Sequence, residues 1–323
     1  MSHVKSLIGL GTIALMVAGC TTPVGVSTLS QPKDHWRMQQ ATFFADPNKL
    51  NVRLSRSQGM AYEVKTGDVY FSGNDALEKS NINYDYAASK VKNPAIPTTL
   101  VEKFGSNHIG CIDMLDSNGQ QRLIAPIEDG KDYDYPVLAQ YGLTPEMPYL
   151  NYVLFPRTAE LDDGIPWVTI DHARNAVYTS KYYYPTHLLI TPLNSLPWGG
   201  GTAQVSYLPL TGEHLNKVQC AKVKDDYVYA LPSDAEDHIK AINLNTGAVT
   251  AVTLENYPSD LSTVPGVATP LCKKDSYDPE MQGLAFFPKP DGTTLHATAI
   301  LRCTTVINST MTRGIIVFDF KEI

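Results

Sequence analysis

Charge is scarce in this 323-residue chain: Asp, Glu, Lys and Arg together make up 18% of it. Basic residues are the scarcer sign, with 26 Lys plus Arg against 33 Asp plus Glu and a net charge of −7. That balance argues against a nucleic-acid surface, which needs clustered basic side chains to displace counterions. Several chemical signatures are missing too. There is no Gly-x-Ser-x-Gly elbow, no His-Glu-x-x-His pair and no phosphate-binding glycine loop. Serine-elbow acyl transfer, zincin chemistry and P-loop nucleotide binding therefore lose their usual support. No segment after residue 20 keeps a helical apolar period for three turns.

What is present favours strands and turns. A hydrophobic share of 43% is enough for a sizeable core and excludes disorder. Tyr outnumbers Phe by 18 to 9, and Pro and Gly stand at 22 each. Aromatic residues suit pleated, half-buried surfaces, while Pro and Gly punctuate the turns between them.

The first twenty residues have their own logic. A short segment carrying Lys5 precedes an apolar run from Leu7 to Val17, followed by Val17-Ala18-Gly19-Cys20. The run is too short for a permanent bilayer span and suits a cleavable signal. Small residues before Cys20 fit a peptidase cleft, and the thiol can take a thioether-linked diacylglycerol. These residues resemble the lipobox of bacterial lipoproteins, with Val17 where Leu is commoner. The resemblance implies a signal peptide over residues 1–19, an acylated Cys20 with a flexible tether over 20–35, and a globular domain over 36–323. Each buried CH₂ contributes about 0.8 kcal/mol, so several acyl chains hold a protein firmly. Thr21 stands where an inner-membrane retention signal has Asp, so the expected address is the outer membrane, facing periplasm or cell surface. The alternative is an ordinary secretory signal with an incidental cysteine.

Export favours oxidation, and the four remaining cysteines, Cys111, Cys220, Cys272 and Cys303, allow three pairings. The preferred bond is Cys272–Cys303, because both flank the last apolar strand unit. Cys111 and Cys220 lie in apolar runs and are expected as small core residues.

A degenerate repeat organises residues 58 to 320. Gln58-Gly59-Met60-Ala61-Tyr62 leads to Val69-Tyr70-Phe71, and His108-Ile109-Gly110-Cys111-Ile112 leads to Arg122-Leu123-Ile124-Ala125. The same pattern recurs from Pro166 to Ile170, from Val218 to Lys222 and from Met281 to Ala285. Unit starts lie about fifty to sixty residues apart, room for four strands with loops. Small residues in each first strand let the strands crowd around a shared axis. The expected fold is therefore all-β: one β-propeller of five four-stranded blades, with room for a sixth in 259–279 or at the N-terminus. Gly314 to Phe320 supplies a third strand of the last blade, and a strand between Trp36 and Phe44 closes the ring and removes exposed edges. A β-sandwich with irregular hairpins is the alternative.

His108 to Asp113, Pro166-Trp167-Val168 and Glu280 to Leu284 resemble strand units of bacterial YncE-like and SMP-30-like propellers. The resemblance implies a ligand mouth at the central channel, and the residues just before or inside the innermost strands are expected to line it: Gln58, His108, Trp167, Gln219, Glu280 and Gln282. Gln residues supply donors and acceptors without the desolvation cost of a charge, which suits a neutral polar ligand or ordered water. Two functions follow. One is a non-enzymatic membrane-anchored protein that binds a protein or glycan partner and needs no cofactor. The other, implied by the SMP-30-like resemblance, is a Ca²⁺-dependent lactonase or esterase with Glu280, Asn107 and His108 near the ion. Trp167 and Gln219 stand where that pattern wants further oxygen ligands, which counts against it.

Three local features complete the reading. Asp116-Ser117-Asn118-Gly119 lacks calcium-loop spacing and is expected as a hairpin turn. Gly199-Gly200-Gly201 is expected as a flexible loop. Tyr182-Tyr183-Tyr184 before Pro185 is either an exposed aromatic platform for sugar or protein, or strand packing.

Overall fold

Apolar and aromatic segments form five small sheets arranged radially in a computed structural model of the chain. The structure describes residues 34–45, 55–117, 119–129, 135–232, 239–258, 263–265, 281–288, 295–307 and 310–323, with backbone alone at 45 and 295–313. Cys20, the tether to residue 33, Glu280 and Cys272 lie outside the described residues. The architecture is the expected five-bladed propeller.

Blade I runs through Gly59–Glu63, Asp68–Gly73, Ala76–Ser80 and Lys90–Lys92 from axis to rim. Blade II has a split innermost strand, His108–Ile109 and Asp113–Ser117, both paired with Gln120–Glu128, then Val137–Tyr141 and Tyr149–Leu154. Blade III comprises Thr169–Asp171, Ala176–Thr179, His187–Pro192 and Ser206–Pro209. Blade IV comprises Val218–Lys224, Tyr227–Pro232, Lys240–Asn243 and Ala248–Ala251, with Thr211–Gly212 on its outer edge. Blade V comprises Met281–Pro288, Leu295–Ile307 and Thr310–Glu322, and its fourth strand is His35–Ala45 from the chain's other end. The room left for a sixth blade at the N-terminus is thus taken by the closing strand. Among the described residues the one α-helix is Thr98–Phe104.

The closure is fastened by side chains as well as by the ladder. Trp36 is fully buried against Tyr229 of blade IV and Phe286 and Phe320 of blade V, with ring centroids 5.1, 5.7 and 6.2 Å away. Thr253–Glu255, which follows blade IV, pairs in parallel with His35, Trp36 and Arg37. Lys224 of blade IV bonds Glu322 of blade V at 2.5 Å, with both side chains buried. Ring closure leaves the sheets without the long open edge that invites aggregation.

Small residues at the axis act as anticipated. A Cβ added to Gly59 would sit 2.5 Å from the Cys111 Cα, and one on Gly110 would sit 1.9 Å from the Pro166 carbonyl oxygen. Glycine is therefore required where blades I, II and III converge. The blade II strand splits at this point: Gly110 still donates to the Pro126 carbonyl, while Cys111 bridges to Trp167 of blade III.

The cysteines correct the sequence reading. Cys111 and Cys220 are not separate core residues; they form a disulfide with Cα atoms 5.2 Å apart. They belong to the innermost strands of blades II and IV, which flank blade III, so the bond crosses the axis. Gly59 of blade I packs on Cys111, and Cys220 Sγ lies 3.9 Å from the Leu284 carbonyl oxygen of blade V. The bond therefore sits among the innermost strands of four blades and blocks the axis. The Cys272–Cys303 pair lies outside the described residues, because Cys272 is not among them and the Cys303 side chain is not described.

A second axial barrier lies further along the same strands. Lys222 of blade IV reaches Asp113 of blade II at 2.9 Å and also bonds the Ile112 carbonyl. Asp113 in turn accepts hydrogen bonds from Thr169 Oγ1 and the Ile170 N–H of blade III, each 2.9 Å. Burial pushes the Lys222 amine below the usual lysine range, and Asp113 opposes that shift.

Two turn expectations resolve locally. Asp116 caps its hairpin by accepting the Gly119 N–H at 2.9 Å. The triple glycine is not a loose loop: Gly199 and Gly200 donate to the Tyr152 carbonyl, and Gly201 accepts from Leu154, tying blade III's connection to blade II's outer strand.

Candidate functional site

The innermost strands all begin at one end of the axis, and the segments that join second to third strands share that end. Gln58, just before blade I's first strand, donates from Nε2 to Asn74 Oδ1 at 2.7 Å. Gln219 of blade IV donates from Nε2 to the Tyr182 hydroxyl at 3.0 Å. Each amide uses one donor this way and keeps capacity for a ligand. His108 opens blade II half-buried, directly opposite Glu128 in the ladder. Gln282 of blade V is buried.

Trp167 has a different place. It is fully buried, and its indole N–H donates to Ser180 Oγ at 3.2 Å. The ring supports blade III and does not face solvent. Of the six residues expected to line the channel, Gln58, His108, Gln219 and Gln282 lie at the starts of innermost strands, Trp167 lies beneath them, and Glu280 lies outside the described residues.

The tyrosine run belongs to this end as well. Tyr182 to Tyr184 form no strand; they make the loop between blade III's second and third strands. The Tyr182 carbonyl accepts the Val218 N–H at 3.1 Å, so the loop is fixed to the start of blade IV. Tyr183 stands edge-on to Tyr182, with ring centroids 4.5 Å apart. Tyr183 and Tyr184 are 42% and 65% exposed. Tyr184 has a φ of 44°, a left-handed conformation unusual for an aromatic residue. Strand packing does not account for these rings.

Acidic groups complete the rim. Glu128 ends blade II's second strand and Asp129 follows it, both buried. Asp163, on the connection from blade II to blade III, accepts the Tyr183 N–H at 3.3 Å. Burial, with Asp129 and Asp163 nearby, pushes the Glu128 carboxyl up to about 8. These acids were not singled out from sequence. Their signal is the Glu-Asp pair that ends the apolar run Leu123 to Ile127.

Glu280, the carboxylate expected to hold a calcium ion, lies outside the described residues. Among the described residues, no group of three His, Cys, Asp or Glu side chains is placed to hold a metal ion. Asn107 is exposed and His108 half-buried. Among the described residues, no helix is long and apolar enough to cross a membrane.

Comparison with known proteins adds no function. No family model matches the chain, and no curated protein matches it. Among solved structures, the chain is similar to a GH43_1 enzyme from Xanthomonas citri, at 11% identity over 85% of this chain and 90% of that one, TM-score 0.44. A protein of unknown function from Bacteroides caccae is similar at 11% identity over 77% and 71%, TM-score 0.40. The tail fiber of Staphylococcus aureus phage P68 is similar at 14% identity, covering 91% of this chain and 54% of that one, TM-score 0.47. Likenesses this distant carry no activity across; what stands is an all-β chain with five propeller blades.

Proposed function

We propose that the protein is an exported, lipid-anchored binding protein that holds a neutral glycan at the axial mouth of its propeller. The carrying observation is the Tyr182–Tyr184 loop, whose exposed rings stand beside the amide-lined strand starts. Aromatic faces stack on the apolar faces of sugar rings, and amides bond their hydroxyls. The disulfide behind the mouth supports capture over passage, since it blocks the axis.

Surface-immobilised N-acetylchitotetraose, maltotetraose and cellotetraose provide the test. Tyr184→Ala is expected to weaken binding of the recognised sugar about tenfold, in keeping with ~1–1.5 kcal/mol for one aromatic contact. Folding should be unchanged, because Tyr184 is largely exposed. Wild-type protein that captures none of the three sugars, or Tyr184→Ala protein that binds as tightly as wild type, would refute this reading.

The anchor is checked separately. In the native host, Cys20→Ser is expected to move the protein from the membrane fraction to the soluble fraction, and labelled palmitate should be lost with it. Undiminished membrane association of the variant would remove the lipid anchor from the proposal.

A further inference from the structure

One buried acid at the mouth keeps an oxygen without a hydrogen-bond partner. Glu128 is 6% exposed, faces His108 across the ladder and receives the Ile165 backbone N–H. Its other oxygen, Oε1, is buried with no hydrogen-bond partner. No described Lys or Arg pairs with it. A buried polar atom left unpaired in a folded protein calls for an explanation, and a missing ligand is one.

The groups around Glu128 define what that ligand is. Asp129 follows it in the chain, Asp163 approaches from the connection between blades II and III, and His108 faces it from blade II's first strand. Two neighbouring acids repel an anion. A metal ion needs a ligand set that the described residues do not provide. With burial and the two acids disfavouring a negative charge, Glu128 keeps its proton at neutral pH and is a donor. Asp163 also holds the Tyr183 N–H, so the acid and the aromatic loop share one frame.

We infer that Glu128 is the ligand anchor of this mouth, a carboxylic acid that donates a hydrogen bond to an uncharged carbonyl or hydroxyl oxygen of the bound sugar. The inference rests on the glycan-binding reading and adds the chemistry of recognition to it. Binding then requires the protonated acid. Affinity should be level below about pH 7 and fall toward tenfold per unit once pH passes about 8, as the donor is lost.

Titration calorimetry of the full chain tests this with N-acetylchitotetraose, maltotetraose and cellotetraose, plus fully de-N-acetylated chitotetraose as a cationic counterpart. The range runs from about pH 6 to about pH 9.5. Glu128→Gln keeps a neutral donor; it should bind within about threefold of wild type at the acidic end and lose the alkaline decline. Glu128→Ala should lose at least about tenfold at the acidic end. His108→Gln separates any imidazole contribution, because the alkaline decline should survive it. If Glu128→Ala misfolds, the wild-type profile and Glu128→Gln decide. Sugar binding that is level across the range and unchanged in Glu128→Gln overturns the anchor alone and leaves the glycan reading standing. Affinity that rises through about pH 8, with the cationic tetramer bound more tightly than its acetylated form, overturns it in favour of an ionised acid holding an amine. No binding of any sugar refutes the glycan reading and the anchor with it.

Discussion

Replacing Cys111 and Cys220 together by alanine is expected to lower the unfolding free energy by about 4–5 kcal/mol. The bond joins residues 109 positions apart. In the chain-entropy account, cross-linking a loop of roughly 100 residues removes about 4.7 kcal/mol worth of freedom from the unfolded chain. A second contribution comes from position. The bond ties blades II and IV past blade III, and Gly59 and Leu284 pack around it. Truncating both sulfurs leaves a void that the neighbouring blades cannot fill without moving, and such voids cost stability in proportion to their size. Thermal unfolding should show a midpoint lowered by roughly 8 °C at this chain length. Urea unfolding of the oxidised wild type and the Cys111→Ala, Cys220→Ala variant measures the same difference free of reductant. A loss below about 1 kcal/mol would mean that the bond constrains little and the ring is held by its end strands alone.

The fold was open to reading because its local rules repeat. Gly59, Gly110 and Ala221 mark first strands by being small, and each lies on an innermost strand or beside one because only small residues fit there. The closing strand was legible for a related reason: the Trp36 to Phe44 segment had a strand pattern and no blade of its own. Pairings across the axis were hidden. Cys111 and Cys220 stand in similar apolar runs, and nothing in those runs says which blades face each other over the centre. The sequence suggests two separate core cysteines at these positions, whereas ring geometry brings together residues two blades apart. The mouth was half legible for the same reason. Gln58 and Gln219 were visible as residues at strand starts, but Glu128 becomes part of the site only through its register with His108. Register depends on where the Gln120–Glu128 strand begins pairing, and an apolar run with no alternation leaves that open.

The other axial barrier responds to substitution in a way that separates charge from packing. Lys222→Met is expected to cost about 3–5 kcal/mol, because it leaves the Asp113 carboxylate largely buried without its cation. Shape is nearly kept, since methionine follows the lysine stem, so a cavity cannot explain a loss of that size. Asp113→Asn added to Lys222→Met removes the stranded charge and keeps an amide oxygen for the Thr169 hydroxyl and the Ile170 N–H. The double variant should therefore recover most of the stability, and urea unfolding of the two singles and the double gives the coupling directly. A coupling near zero would show that the two side chains act independently. Recovery matters for the mouth as well. Asp113 joins blade II to blade III, and blades II, III and IV also carry His108, the tyrosine loop and Gln219. An uncharged but well-packed barrier should leave sugar affinity at its wild-type value, because the axis is there to hold these three blades at fixed spacing. Affinity that fell in the double variant despite restored stability would instead make the charge pair part of the recognition chemistry.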